Sequence, residues 1–358
     1  MSTARAPATA PLETDAVVIG AGPVGLFQVF QLGLQGLKAH VVDALPEPGG
    51  QCIELYADKP LYDIPGIAHC SGRELVERLQ QQIAPFAPQW HLGESVAQLA
   101  AQAGGRFLVG TSRGTQLLAR AVFIAAGVGA FVPRALKVPG IDIFEGTQLL
   151  YRLDDRAAIA GRHVVVHGGD EPAVSQVLDC AAAEQPPASL TLLHRRDVFD
   201  APPAQLEQLR ALRDAGRIQV AIGQITGTEQ DGGRLTALQL LAPDGSTRRV
   251  PLDLLLVRLG LSPRLGPLAD WGLAMERKQL VVDTASYATS VSGIHAVGDI
   301  NTYPGKRRLI LCGFHEATLA AFATAERLAG QKIPLEYTTS SARLQQRLGV
   351  APATTPTP

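Results

Sequence analysis

Three glycines near the amino terminus have the spacing of a diphosphate-binding turn. Gly20, Gly22 and Gly25 form the pattern G-x-G-x-x-G, which follows a short apolar run and continues into a helical apolar pattern. In a strand–turn–helix unit the first glycine makes the turn, the second lets backbone approach a diphosphate, and the third lets the helix pack on the strand. The free N–H groups at the start of that helix would then bind the diphosphate.

An acidic residue supports the nucleotide interpretation of these glycines. A second apolar run ends at Asp43, 23 residues after Gly20, where a carboxylate can accept hydrogen bonds from a ribose. Glycines alone are weak signals, because turns need them for backbone reasons that involve no ligand. The stretch Pro48-Gly-Gly-Gln51 extends the chain beyond the strand end. Such an extension suits a long cofactor such as FAD.

A second flavin-type signature lies near the carboxyl terminus. Gly298 and Asp299 follow a short apolar run, and the aspartate can accept a hydrogen bond from a ribityl hydroxyl. The alternative is an Asx turn that closes a strand. The pattern then predicts a helix over residues 313–328. Its N-terminus would point its dipole at the pyrimidine edge of the flavin.

A less regular copy of the glycine motif lies in the middle of the chain. The strand pattern from residue 162 leads into Gly168 and Gly169, but Asp170 and Glu171 follow where a diphosphate would approach. The next strand ends in Arg195 and Arg196, and guanidinium groups suit the 2′-phosphate of NADP. The second cofactor is therefore predicted to be NADPH. The alternative is that the two arginines lie in a solvated turn.

The order of strand and helix patterns predicts an α/β fold. We expect two Rossmann-like nucleotide-binding domains, with the NADP domain inserted into the FAD domain. The predicted boundaries are a tail over 1–12, the first part of the FAD domain over 13–130, the NADP domain over 131–282, the second part of the FAD domain with a C-terminal extension over 283–350, and a tail over 351–358.

Composition excludes several classes of protein. The 358 residues are 46% hydrophobic and 18% charged with a net charge of −1, so the chain lacks the positive field that holds nucleic acid or an anionic membrane. The four cysteines have neither C-x-x-C nor metal-ligand spacing, and we expect reduced structural thiols and no metal site. The N-terminal residues lack the apolar core of a signal peptide, which favours the cytoplasm.

With these motifs established, the chain resembles the thioredoxin-reductase-like ferredoxin/flavodoxin NADP+ reductases from about residue 15 to residue 349. The resemblance is carried by Gly20-Ala-Gly-Pro-Val-Gly25, Gly49-Gly-Gln51 with Leu55-Tyr56, Ile124-Ala-Ala-Gly127, His194-Arg-Arg-Asp197, Ala296-Val-Gly-Asp-Ile300, Tyr303-Pro-Gly-Lys306 and Gly313-Phe-His-Glu-Ala317. It implies a homodimer, rotation of one domain against the other, and ferredoxin or flavodoxin as the electron acceptor.

The resemblance also implies roles for single residues. Tyr56 would stack on one face of the flavin, although an ordinary half-buried tyrosine is the alternative, and Tyr337 or Thr339 would cap the other face. The remaining predicted contacts with FAD are Gly20, Gly22, Pro23, Gly25, Asp43, Gly50, Gln51, Val96, Ala126, Gly127, Gly298, Asp299 and His315. Those with NADPH are Gly168, Gly169, Arg195 and Arg196. The run Lys306-Arg-Arg308 is either a basic docking patch or a solvated loop.

The chain departs from the family pattern at three positions. The family usually has Glu where Asp43 stands, Gly where His315 stands, and Gly where Asp170 stands. The last change puts NADPH binding in question. A redox disulfide is excluded beside the flavin, because Ala57 occupies the position of the second cysteine after Cys52, and Cys52 itself is expected to be a packed thiol.

We therefore expect a reductase in which NADPH reduces FAD and the flavin passes single electrons to ferredoxin or flavodoxin. Two alternatives stay open at this point. One is a flavin oxidase or monooxygenase-like protein with a decayed NADP site, and the other is a non-catalytic FAD-bearing partner.

Overall fold

The computed structural model describes residues 10–153 and 155–350. It divides them into two compact units, one made of residues 10–130 and 263–350 and the other of residues 131–262. The inserted unit therefore ends at residue 262 instead of the predicted 282. The reason is burial, because Leu268, Leu273 and Leu280 belong to the core of the first unit. The predicted tails lie outside the described residues except for residues 10–12, and Leu12 already begins the first strand.

The first unit opens with a parallel sheet built on the glycine motif. The elements up to residue 133 are β1 (Leu12–Ile19), α1 (Pro23–Leu34), β2 (Ala39–Asp43), α2 (Gln51–Glu54), β3 (Pro60–Leu61), β4 (Cys70–Ser71), α3 (Gly72–Ile83), β5 (Gln89–Leu92), β6 (Val96–Gln102), β7 (Arg106–Thr111), β8 (Gln116–Ile124) and β9 (Ala130–Pro133). The main sheet has the order β5-β2-β1-β8-β7-β6. β5, β2, β1 and β8 are parallel, and β7 and β6 extend the sheet with antiparallel pairing.

Local sequence explains where these elements begin. Pro23 stands in the first turn of α1, a position at which the missing N–H costs nothing. α3 begins with a complete capping box, in which the Ser71 hydroxyl accepts from the Glu74 N–H and the Glu74 carboxylate accepts from the Ser71 N–H. α3 then buries Leu75, Val76 and Leu79, so its apolar stripe faces the core.

The second unit contains a second all-parallel sheet. Its elements are β10 (Leu149–Leu150), β11 (His163–His167), α4 (Glu171–Ala181), β12 (Ser189–His194), α5 (Pro203–Asp214), β13 (Gln219–Ile222), β14 (Gln224–Asp231), β15 (Arg234–Leu241), β16 (Thr247–Pro251) and β17 (Leu254–Val257). The parallel sheet has the order β10-β17-β11-β12-β13, and β14, β15 and β16 form a separate antiparallel sheet. Strands β11 and β17 are buried along most of their length, as expected for a sheet covered on both faces.

The chain then returns to the first unit. The last elements are β18 (Leu261–Arg264), β19 (Met275–Glu276), β20 (Gln279–Val281), β21 (Ile294–Ala296), β22 (Asn301–Thr302), α6 (Ile310–Ala329) and α7 (Ala342–Arg347). β21 adds to the main sheet in parallel beside β8. The carboxyl ends of β1, β2, β8 and β21 therefore meet at one edge, which is where an open parallel sheet binds ligands.

Candidate functional site

The glycine turn between β1 and α1 combines tight packing with one open position. A Cβ at Gly20 would overlap the carbonyl oxygen of Ala125, and a Cβ at Gly25 would overlap the carbonyl oxygen of Gly20. Gly20 also has φ +108°, which disfavours other residues. At Gly22 a Cβ would meet no protein atom within 4 Å. Backbone at Gly22 is thus open to a ligand, and α1 begins at Pro23 with no side-chain cap on its N–H groups.

Asp43 fixes this turn from the end of β2. Its two carboxylate oxygens accept hydrogen bonds from the backbone N–H of Ala21 at 2.5 Å and of Leu45 at 2.8 Å. Burial raises the pKa of the Asp43 carboxyl, and the two backbone hydrogen bonds oppose that rise. Each oxygen keeps a further lone pair, so the ribose role predicted for Asp43 is compatible with its role in the turn.

Two further glycine segments close around Gly22. Gly50 has φ +54°, and a Cβ there would lie 3.0 Å from the Cα of Gly22. Gly127 has φ +59°, and the Gln51 side-chain nitrogen lies 3.3 Å from where its Cβ would be. The backbone nitrogen of Ala126 is 3.2 Å from the Cβ position of Gly20. The structure thus brings the three predicted glycine segments together into one cradle.

Tyr56 and Cys52 lie beside this cradle on and after α2. The Cys52 thiol lies 3.6 Å from the Tyr56 hydroxyl, and Cys52 is completely buried. Burial raises the pKa of both groups, and the charges of Asp299 and Asp63 raise that of Tyr56 further. A buried thiol with a raised pKa is inert, as predicted for Cys52.

The Gly298–Asp299 turn is held by charged residues that sequence reasoning did not assign. The Glu316 carboxylate, fully buried, accepts from the Gly298 N–H at 2.7 Å and from the Asn301 side chain at 2.8 Å. It also accepts from the Tyr303 hydroxyl at 2.9 Å and from the Lys306 ammonium at 2.5 Å. The motifs that contain these residues were recognised, but their roles were not. The available signal was a glutamate among small and apolar residues in a helical pattern.

Helix α6 begins at Ile310, three residues before the predicted start at residue 313. His315 is consequently the sixth residue of α6, where its side chain is exposed and its ring centroid is 6.5 Å from that of Tyr287. The helix closes on α1, since a Cβ at Gly313 would overlap the Val24 side chain. Cβ at Gly298 would lie 3.4 Å from the same valine. The start of α6 and the aspartate turn therefore both lie at the start of α1.

Three predicted flavin contacts, Val96, Tyr337 and Thr339, stay predictions. The Val96 side chain is only 6% exposed and belongs to the hydrophobic core, so a contact with the flavin would use the Val96 backbone. Tyr337 and Thr339 are exposed, and the Gln345 side chain donates to the carbonyl of Thr339 at 3.2 Å. α7, which contains Gln345, also anchors its Arg347 to the carbonyl at the last residue of α1. That end of α1 lies about 18 Å from the glycine turn for a 12-residue helix.

The second unit has its own glycine turn between β11 and α4. A Cβ at Gly168 would overlap the carbonyl oxygen of Arg258, and a Cβ at Gly169 would overlap the His194 ring. Asp170 is the N-cap of α4, but its side chain makes no capping hydrogen bond. Its buried Oδ1 has no hydrogen-bond partner within the part of the chain that the structure describes. The Asp170 carboxylate thus lies at the start of α4, where the sequence pattern predicts that a diphosphate would approach.

The two predicted arginines lie at the same sheet edge. β12 is parallel to β11, so Arg195 and Arg196 follow β12 next to the second glycine turn, and both are exposed. Burial lowers the pKa of His194, the two arginine charges lower it further, and the Asp170 charge raises it. These opposing effects show that Asp170, His194 and the arginines lie within electrostatic reach of one another.

Three features of the structure bear on other classes of protein. Among residues 10–153 and 155–350 no group of His, Cys, Asp or Glu could hold a metal ion. Over the same residues, no helix combines the length and apolar character that crossing a bilayer requires. All four cysteines are unpaired, three of them buried.

This chain belongs to the pyridine nucleotide-disulphide oxidoreductase family, whose sequence profile matches residues 14–323. It is thus an oxidoreductase of the two-nucleotide-domain type.

Two relatives of this chain carry the same name. A ferredoxin–NADP reductase of Acidovorax sp. strain JS42 is 69% identical over 347 residues, covering 96% of this chain and 97% of that protein. A ferredoxin–NADP reductase of Paracidovorax citrulli is 61% identical and covers 96% of this chain and 98% of that protein.

Solved structures with the same fold are more distant in sequence. Thioredoxin reductase from T. acidophilum has a TM-score of 0.57 at 21% identity and covers 88% of this chain and 99% of its own. Bacillithiol disulfide reductase from Staphylococcus aureus has a TM-score of 0.59 at 15% identity and covers 90% of this chain and all of its own. These likenesses confirm the predicted fold class and carry no argument about substrate.

Proposed function

We propose that this protein is an FAD-dependent ferredoxin–NADP reductase, which takes a hydride from NADPH and passes single electrons to ferredoxin or flavodoxin. The observation that carries the proposal is the cradle around Gly22, where three glycine segments pack tightly and one backbone position is open. The name shared by relatives up to 69% identical over nearly the whole chain supports the same function. The unpaired cysteines favour a flavin as the redox centre over a disulfide.

Each side chain of the cradle has a binding role in this proposal. The N–H groups at the start of α1 would hold the diphosphate, because the helix N-terminus carries a partial positive charge. Asp43 would accept a hydrogen bond from the adenosine ribose, Asp299 would accept one from the ribityl chain, and Tyr56 would cover one face of the ring. A bound FAD would supply hydride acceptance and one-electron release. The protein supplies placement and electrostatics, and hydride transfer requires no acid–base pair.

NADPH would bind in the second unit through Arg195 and Arg196. Their exposure beside the second glycine turn leaves both guanidinium groups available for a 2′-phosphate. Asp170 opposes the diphosphate through its charge. The alternative of a flavin oxidase with a decayed NADP site rests on Asp170 and Glu171, and the reductase name that these relatives share weighs against it.

The C-terminal extension supports the proposal that the enzyme works as a homodimer. Leu335 and Tyr337 are 63% and 64% exposed, and the extension is anchored at the far end of α1 from the cradle. If Tyr337 or Thr339 caps a flavin, the flavin therefore belongs to a second copy of the chain. Rotation of one unit against the other and a cytoplasmic location stay predictions. Unpaired thiols fit a reducing compartment.

The acceptor would dock on exposed cations near the start of α6. Lys306 is not one of them, because its ammonium is 8% exposed and paired with Glu316. The basic patch interpreted from sequence therefore reduces to Arg307 and Arg308, both exposed.

Steady-state electron transfer tests the proposed function. Purified protein is assayed with NADPH and either ferredoxin, flavodoxin or an artificial acceptor. The proposal expects turnover with at least one of the two protein carriers. Turnover with the artificial acceptor alone would show that neither ferredoxin nor flavodoxin is the electron acceptor. Absence of turnover with every acceptor would favour a non-catalytic FAD-bearing protein.

A further inference from the structure

A buried ion pair between Glu316 of α6 and Lys306, four residues before that helix, binds both polar backbone groups of Gly298. The Glu316 carboxylate accepts from the Gly298 N–H at 2.7 Å, and the Lys306 ammonium donates to the Gly298 carbonyl at 2.9 Å. Lys306 and Glu316 are joined directly, with side chains 8% and 0% exposed. A single lysine–glutamate pair thus fixes the peptide groups on both sides of the residue that precedes Asp299.

The turn at Gly298 has a backbone conformation that glycine adopts freely and that other residues disfavour. Gly298 has φ +79°, a left-handed conformation, and Val24 of α1 lies 3.4 Å from where its Cβ would be. Asn301 and Tyr303 donate to the same carboxylate. The Gln279 side chain holds the following segment by donating to the carbonyl of Asp299 at 3.1 Å. The Asp299 backbone is therefore fixed from both sides.

Burying a lysine–glutamate pair costs hydration free energy, and a pair with a purely structural role could be replaced by apolar residues without that cost. Two buried charges of opposite sign lose their hydration, and apolar residues of similar volume often stabilise a fold equally well. What the pair offers is a fixed geometry, because charged hydrogen bonds are shorter and more directional than neutral ones. This geometry fixes the position of Asp299, the residue proposed to accept a hydrogen bond from the ribityl chain of FAD.

We propose that Lys306 and Glu316 are positioning residues for FAD, which act by holding the Gly298–Asp299 turn in the cofactor-binding conformation. This inference rests on the proposed function. Neither residue needs to touch the cofactor, and the effect of either is transmitted through the Gly298 backbone.

The test measures FAD affinity separately from folding. Lys306→Met, Glu316→Gln and the double variant are compared with the wild type as apoproteins titrated with FAD. The matched control is Lys332→Met, which removes the exposed lysine of a pair with Glu326 of α6. The free energy of unfolding of each apoprotein and its affinity for NADP+ are measured alongside.

The inference expects each pair variant to weaken FAD binding at least ~10-fold, which corresponds to about 1.4 kcal/mol. The NADP+ affinity of each pair variant and the FAD affinity of Lys332→Met should stay at the wild-type value. Lys306→Arg should bind FAD more tightly than Lys306→Met, because arginine keeps the positive charge. A single variant leaves one buried charge unpaired and can fail to fold for that reason. The double variant leaves no unpaired charge, so its FAD affinity is then the decisive measurement.

Wild-type FAD affinity in a folded double variant would overturn the inference, and so would a change in unfolding free energy with no change in FAD affinity. Failure of the wild type itself to bind FAD would instead overturn the proposed function, so the two failures are distinguishable.

Discussion

Replacing Gly22 with alanine should separate cofactor binding from folding. Gly22 has φ −67° and ψ 176°, which alanine adopts freely, and its new Cβ would meet no protein atom within 4 Å. Replacing a glycine at the N-cap by alanine lowers the free energy of unfolding by about 0.5–1 kcal/mol. Alanine also restricts the unfolded chain, which raises the free energy of unfolding by about 0.4–1 kcal/mol. These terms offset each other, and the Tm of the apoprotein should change by less than about 4 °C.

The same methyl group would occupy space that the diphosphate needs. Forcing an extra methyl into a packed contact costs about 1–3 kcal/mol, which weakens FAD binding by roughly 5- to 150-fold. The assay is a titration of the apoprotein with FAD, followed by the quenching of flavin fluorescence, together with calorimetry of unfolding.

Gly25→Ala is the matched control for the substitution at Gly22. Its Cβ would overlap the Gly20 carbonyl oxygen, so this variant should lose stability even without the cofactor. Wild-type FAD affinity in Gly22→Ala would refute the assignment of the open position to the diphosphate. Wild-type stability in Gly25→Ala would refute the packing argument.

Three further outcomes are expected. Arg195→Ala with Arg196→Ala should raise the KM for NADPH roughly 10-fold or more and leave that for NADH unchanged in steady-state assays, because only NADPH carries the 2′-phosphate. Burial lowers the pKa of His295 to about 4, so the charged form favours the unfolded chain. The unfolding free energy in urea should therefore fall by about 2–3 kcal/mol between pH 7 and pH 4.5 from this residue, and His295→Gln should lose that part of the slope. Arg307→Glu with Arg308→Glu should raise the KM for an acidic carrier, and the difference from wild type should shrink at high salt; an unchanged KM would exclude this docking face.

Local sequence was sufficient to predict the nucleotide folds. Turn glycines, apolar periodicity and the position of Asp43 are all encoded within one strand–turn–helix–strand stretch, and the structure places each as expected. The second copy was less regular, but its strand–turn–helix pattern was recognised, and in the structure β12 pairs with β11 in parallel beside the turn with Asp170.

Features that depend on distant packing could not be predicted in the same way. The inserted unit ends at residue 262 because the next segment buries leucines in the other core. Lys306 was interpreted as a surface cation, since a sequence does not show that Glu316 lies within 2.5 Å of its ammonium. The position of Tyr337 depends on the anchoring of α7 at the end of α1, which joins residues more than 300 positions apart.

The most direct test of the central claim mixes purified protein with NADPH or NADH in the absence of oxygen. We predict that the protein is yellow as isolated and that its flavin absorbance is lost within seconds, faster with NADPH than with NADH. A colourless protein that binds no added FAD, or a flavin absorbance that persists with both nucleotides, would contradict the account.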